Sequence, residues 1–157
     1  MLSGGSAFFG FAKPTPVNPM NLTGGRRGQA LVAAAGPLSN LVMAAIVGAV
    51  LRVVFTNSLL GTAVDTAVIH ALFNITFFFV VINLSLFVFN LIPIPPLDGW
   101  SVLLGLVNSR TAWSMKQFQT QYAALIPFAF LIVFLIAGRA IITPIVSFLL
   151  GILLGTG

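Results

Sequence analysis

Residues 67–99 read AVIHALFNITFFFVVINLSLFVFNLIPIPPLDG. From Ala67 to Ile92 the run is almost wholly apolar and carries no Asp, Glu, Lys or Arg. It exceeds the roughly 20 residues that an α-helix needs to cross a bilayer, and it is far too long for a buried strand. Pro93, Pro95 and Pro96 then end it, because proline lacks the N–H that a continuing helix uses. Those three are a third of the chain's nine prolines, and one of its only two acidic residues, Asp98, follows at once. The stretch reads as a membrane-spanning helix broken at its end, with a carboxylate set just beyond the break.

Composition extends that reading to all 157 residues. The chain is 59% hydrophobic and 6% charged, with a mean hydropathy of +1.11. Soluble domains carry about 25% charged residues, so this chain lacks the polar groups to cover a water-facing surface. A net charge of +5 and a pI near 11.5 raise the question of nucleic acid. The seven basic residues lie between apolar spans, however, where they serve as topology signals. The partner they imply is the lipid bilayer, with no nucleic acid. There is no Cys, which excludes disulfides, thiolate metal sites and a Cys nucleophile. There is no Glu, and His70 is the one histidine. The N-terminal MLSGGSAFFGFAKP has no basic n-region and no adequate apolar core, so it is not a signal peptide and reads as the tail of something begun earlier.

The fold class expected is an all-α polytopic membrane protein of three to four transmembrane helices with Pro-broken segments. It forms a single domain over 1–157, with a membrane-proximal Pro/Gly-rich loop over 1–29 and transmembrane helices over 30–157. Span A runs from about Ala30 to Phe55, with Pro37 kinking it or marking a break. Residues 56–66 connect it to span B, Ala67 to Ile92. Residues 98–121 read as a short helix and an amphipathic membrane-surface stretch. Span C covers Tyr122 to Ala137, and a weaker span D, Ile141 to Leu154, lies short or re-entrant. This layout puts Lys13, Arg26, Arg27, Arg110 and Lys116 on one side, and Arg52 and Arg139 on the other. The excess of basic residues predicts a multi-pass cell-membrane protein with loops 13–28 and 98–121 cytoplasmic.

Asp98 admits two readings. It is a preferred residue for a helix N-cap ahead of GWSVLLGLV. An ionisable group at membrane depth is also a functional candidate, as a ligand or a proton-handling carboxylate, and the prolines free backbone carbonyls that only a protein-lined or wet cavity tolerates. Asn74 and Asn83 suit hydrogen bonds between helices, worth about 0.6–2 kcal/mol. In AGPLSN, Gly36 and Ser39 permit close packing, Pro37 bends the helix and Asn40 is placed to satisfy a freed carbonyl. Gly151 and Gly155 form a packing GxxxG.

Three strings together resemble a known family. NLIPIPPLDG at 90–99 is similar to the Asn-x-x-Pro-x-Pro-x-Leu-Asp-Gly motif of the site-2 proteases, which are intramembrane zinc metalloproteases. FGFAKPTPVNP at 9–19 resembles the Phe-Gly-Trp-Ala-Lys-Pro-x-Pro-Val-Asn loop of the bacterial branch, and RRGQALVAAAGPLSN at 26–40 its Arg-Arg-Gly-x-x-Leu-Val-x-x-Ala-Gly-Pro-x-x-Asn segment. The resemblance covers essentially the whole chain. It implies one zinc ion held by Asp98 and by two histidines of a His-Glu-x-x-His helix, whose Glu is the general base. Three protein ligands and a water make the usual open catalytic zinc site. It also implies an active-site lining of Asn90, Pro93, Pro95, Pro96, Gly99, Gly36, Pro37 and Asn40, and a 13–28 loop that folds back to guide an extended substrate.

The sequence departs from the family in having no His-Glu-x-x-His, so no catalytic residue is assigned. His70 is no substitute, since about 33 Å of helix at 1.5 Å per residue separates it from Ile92. Asp65 fails on the same geometry. The expected function is an intramembrane zinc metallopeptidase acting on membrane-embedded protein or peptide substrates, N-terminally truncated and inactive alone. The alternatives are a non-catalytic pseudoprotease or intramembrane binding protein and, in third place, a transporter fragment using Asp98 as an ion site.

Overall fold

The computed structural model describes residues 25–56 and 65–155. Most of the expected N-terminal loop, including Lys13 and the string at 9–19, and most of the first connection lie outside the described residues.

Helix α1, Gly25–Thr56, is 32 residues long and contains Pro37, so residues 25–29, expected in the loop, belong to the helix. Proline removes the hydrogen bond to the carbonyl four residues back, yet the helix continues through it, so of the expected kink or break the break is not found. Pro37 is fully buried, and Ser39 Oγ donates to the Gly36 carbonyl at 2.7 Å. Helix α2, Thr66–Asn90, opens on Asp65, whose carboxylate accepts from the Ala67 N–H at 2.7 Å. That bond satisfies one of the amides a helix start leaves orphaned. At the other end, Leu91 and Ile92 close the last turn onto the carbonyls of Phe87 and Phe89, and Pro93 stops it.

Two short helices follow, α3 (Asp98–Leu106) and α4 (Ser109–Gln121). The Asn108 side chain caps α4 by accepting from the Thr111 N–H at 2.9 Å. Turns occupy 122–125, so the next helix, α5 (Ile126–Ala137), starts later than Tyr122, with Pro127 in its first turn where a missing N–H costs nothing. Helices α4 and α5 are bent by 100° to one another. A π-helical turn, Gly138–Ile142, leads without an intervening loop into α6, Thr143–Leu154. Gly138 and Ile142, at the two joins, both keep right-handed helical angles. Pro144 has no N–H for the Ala140 carbonyl and its ring crowds that turn; widening to π geometry relieves this. Thr143 Oγ1 donates to the Gly138 carbonyl at 3.2 Å across it.

Contacts fix the arrangement. Phe55 of α1 meets Phe73 of α2 edge-on at 4.9 Å, while Gly36 lies near Asp98, so α1 and α2 run antiparallel. Phe89 touches Phe130 and Phe134, and Val146 joins Ala44, Val80, Leu84 and Val88 in the core, so the run from α5 to α6 returns antiparallel to α2. Gly48 makes room for Leu153. Large apolar residues such as Leu31, Ile46, Ile75 and Phe148 point outward, as expected where lipid is the solvent. Two described helices, α1 and α2, are long and apolar enough to cross a membrane, and a third crossing arises if a sharply bent pair is counted together.

Two further sequence expectations change. Arg139 sits inside a continuous helical run, not in a loop on the far side, because Pro144 widens the helix without ending it. Spans C and D are consequently contiguous. The other described basic residues separate as read: Arg26, Arg27, Arg110 and Lys116 at the Asp98 end, and Arg52 at the opposite end beside Gly155.

Candidate functional site

The prolines shape the site from below. After Ile92 the backbone turns tightly, with Ile94 N–H on the Ile92 carbonyl at 2.8 Å and Leu97 N–H on the Ile94 carbonyl at 2.9 Å. Pro95 is buried; Pro93 and Pro96 are exposed. Gly99 is buried where the chain folds back on the end of α2. A methyl group there would overlap the Leu91 carbonyl and reach within 2.6 Å of the Ile92 carbonyl oxygen. This turn delivers Asp98 as the first residue of α3, half-buried.

The N-cap of α3 is Leu97, and no side chain caps it. Asp98 is therefore a first-turn residue and not the cap. Its charge suits the positive end of the helix dipole, but among the described residues no hydrogen bond or ion pair engages its carboxylate. The carboxylate instead faces α1: Oδ2 lies 3.2 Å from where a Cβ on Gly36 would stand. The structure thus brings together the Leu-Asp-Gly turn and the Ala-Gly-Pro segment, more than 60 positions apart in sequence.

The remaining candidates divide. Pro37 is buried beside Gly36, and Asn40, one turn further along α1, shares its face and is half-buried. Asn40 makes no hydrogen bond among the described residues; Ser39 is the residue that bonds a carbonyl here. Asn90 ends α2, and its Nδ2 donates to the Leu86 carbonyl at 2.9 Å, which leaves its Oδ1 and the second Nδ2 hydrogen available. Asn83 is buried, but its Nδ2 bonds Phe79 of its own helix at 2.8 Å rather than a neighbouring helix. Asn74 is exposed. His70 and Asp65 lie at the far end of α2, as their spacing required.

A cationic cavity beside the site, lined by Arg26, Trp100 and Lys116, was not anticipated. Nor was Gly105, where α3 crosses α1. A methyl group at Gly105 would overlap Ala30 and come within 2.8 Å of the Arg26 carbonyl oxygen. Clustering of basic residues was the available signal for the cavity; a lone glycine in a nine-residue helix gives none for the crossing.

An unengaged carboxylate is a sound zinc donor, but a catalytic zinc takes three protein ligands. Among the described residues no group of three His, Cys, Asp or Glu side chains could hold a metal ion. Asp98 fits as one ligand, and the described residues do not complete a zinc site.

The architecture defines a polytopic helical membrane protein with a single carboxylate held at a broken helix end. Comparison with known proteins narrows the class. The profile of peptidase family M50 matches residues 10–134, and the chain belongs to that family, the site-2 proteases. It is 33% identical over 151 residues to the "Putative zinc metalloprotease YwhC" of Bacillus subtilis (strain 168), an alignment covering 96% of this chain and 63% of that protein. The chain thus spans less than two thirds of that relative's length. No solved structure matches.

Proposed function

We propose that this chain forms the C-terminal part of an intramembrane zinc metallopeptidase core, with Asp98 as one zinc ligand. The complete protein hydrolyses peptide bonds of membrane-embedded substrates. The observation that carries the reading is the Asp98 carboxylate, free of hydrogen bonds among the described residues and set against Gly36 at the Pro-broken end of α2. Such a group costs free energy at membrane depth unless a cation or proton occupies it. Gly36, Pro37, Asn40, Asn90 and the prolines at 93, 95 and 96 line the surrounding space. The cytoplasmic placement of residues 13–28 and of the segment 98–121, which carries α3 and α4, belongs to the same proposal and follows the basic residues.

The 157-residue chain alone is then inactive and holds zinc weakly or not at all. Metal analysis of the purified chain tests this. Stoichiometric zinc, together with proteolysis that Asp98→Ala abolishes, would overturn it. Sequencing upstream of the Met1 codon for an in-frame His-Glu-x-x-His helix identifies the source of the remaining ligands. In a protein carrying that helix, Asp98→Ala removes zinc; retention of stoichiometric zinc removes Asp98 from the ligand set. The second reading, a non-catalytic intramembrane binding protein, draws support from the single described donor, and a complete reading frame without that helix favours it.

A further inference from the structure

Pro96 and Leu97, just before Asp98, form part of the wall of a cavity of about 420 Å³ between α1, α3 and α4. That is within the range of small-molecule sites, about 300–1,000 Å³. Arg26 reaches it from the first turn of α1 and Lys116 from α4, while neither of the chain's two acidic residues lines it. Arg26 Nη2 donates to Ser109 Oγ at 2.9 Å, but its Nη1 is buried without a hydrogen-bond partner among the described residues. A guanidinium nitrogen withdrawn from water with no acceptor is costly. Trp100 Nε1 donates to Gln119 Oε1 at 2.9 Å, which leaves the Gln119 amide nitrogen as a further donor. Donors and positive charge therefore converge where, among the described residues, no acidic side chain lines the wall.

The rest of the wall is apolar. Val32 lines the cavity and is half exposed on the outer surface of α1, next to Leu31, which is 74% exposed. A polar socket thus adjoins a helix surface suited to hydrocarbon. We propose that this cavity binds the phosphate-bearing headgroup of an anionic phospholipid, with the acyl chains lying along α1. Basic sockets between membrane helices at the boundary take such headgroups. Inorganic phosphate shares the chemistry but makes no use of the apolar rim.

The test is lipid selectivity. The purified chain is reconstituted in nanodiscs of phosphatidylcholine with graded phosphatidylglycerol, and the lipid it retains is counted by native mass spectrometry. A parallel titration uses inorganic phosphate. Phosphatidylglycerol is retained preferentially, and the preference falls about fivefold in Arg26→Gln and again in Lys116→Gln. Ser101→Trp, which fills the cavity and spares both cations, also removes it. Arg110→Gln, at the same end but outside the cavity, leaves it intact. Equal retention of the two lipids, or equal loss in Arg110→Gln, overturns the proposal. Inorganic phosphate binding as tightly as the lipid overturns the lipid assignment. Lys116 and Ser101 are exposed, so their variants report even if Arg26→Gln misfolds. Proteolysis is not read, so failure here leaves the peptidase reading untouched.

Discussion

Gly36 has no side chain, and this lets the Asp98 carboxylate lie against α1. An added Cβ would stand 3.2 Å from Oδ2, tighter than ordinary contact, so Gly36→Ala moves the carboxylate by a few tenths of an ångström. Gly36→Val moves it much further. Misplacement of a site group by about 1 Å costs on the order of 100-fold in rate. In the complete protein Gly36→Val therefore lowers proteolysis about 100-fold and Gly36→Ala less; an unchanged rate in Gly36→Val would detach Gly36 from the site. Gly99→Ala acts on folding instead, because its methyl group meets backbone carbonyls that have no room to yield. Overpacking of this kind costs about 1–3 kcal/mol, read as a lower unfolding temperature in detergent. The placement of Asp98 just beyond the Pro-broken end of α2 was legible in the sequence, whereas its approach to Gly36 was not, since no periodicity links positions so far apart. Asn83 was misjudged because the Phe79 carbonyl, one turn back on its own helix, takes its Nδ2.

Among the elements, the existence of α1 and α2 was plain from hydropathy, while their ends depended on chemistry that hydropathy ignores. Asp65 immediately before an apolar run is a helix-start signal, and the structure uses it as one. Asp65→Ala costs about 1 kcal/mol and Asp65→Asn much less, a difference that denaturant titration of the two variants resolves. The position of α3 is set by Gly105 against Ala30. Gly105→Leu forces α3 off α1 and carries Asp98 with it. Its expected signature is a loss of metal in the complete protein that matches the loss in Asp98→Ala. Nine residues give too little periodicity to reveal which face of α3 is buried, so this crossing was hidden in the sequence.

At the scale of the whole molecule, counting apolar runs separated two C-terminal spans at Gly138 and Arg139, a glycine and a charge that look like a boundary. The backbone runs through both. The bundle is held by a small core around Val80 and Leu84 and by outward apolar faces that lipid covers. The side chains of that core are aliphatic and offer a metal no ligand. Adding a zinc chelator to the purified chain therefore leaves its helical circular dichroism and unfolding temperature unchanged; a clear fall in either would reveal a structural metal.

The π turn also sets the rotational phase of the last helix. Phe130, Phe134, Gly138, Ile142, Val146 and Leu150 recur every four residues. On an ideal helix of about 100° per residue each such step drifts by about 40°, so five steps would carry the line about 200° around. One additional residue accommodated in the turn takes back about 100° of that drift. The aromatic pair on Phe89 and the aliphatic contacts on Val80 and Leu84 can then be made by one continuous helix. Deleting Arg139 removes the phase correction and turns one of the two contact sets toward lipid. Arg139→Ala keeps the residue count and shifts stability by no more than about 0.5 kcal/mol. Equal stability of the deletion and the substitution would show that the turn sets no phase.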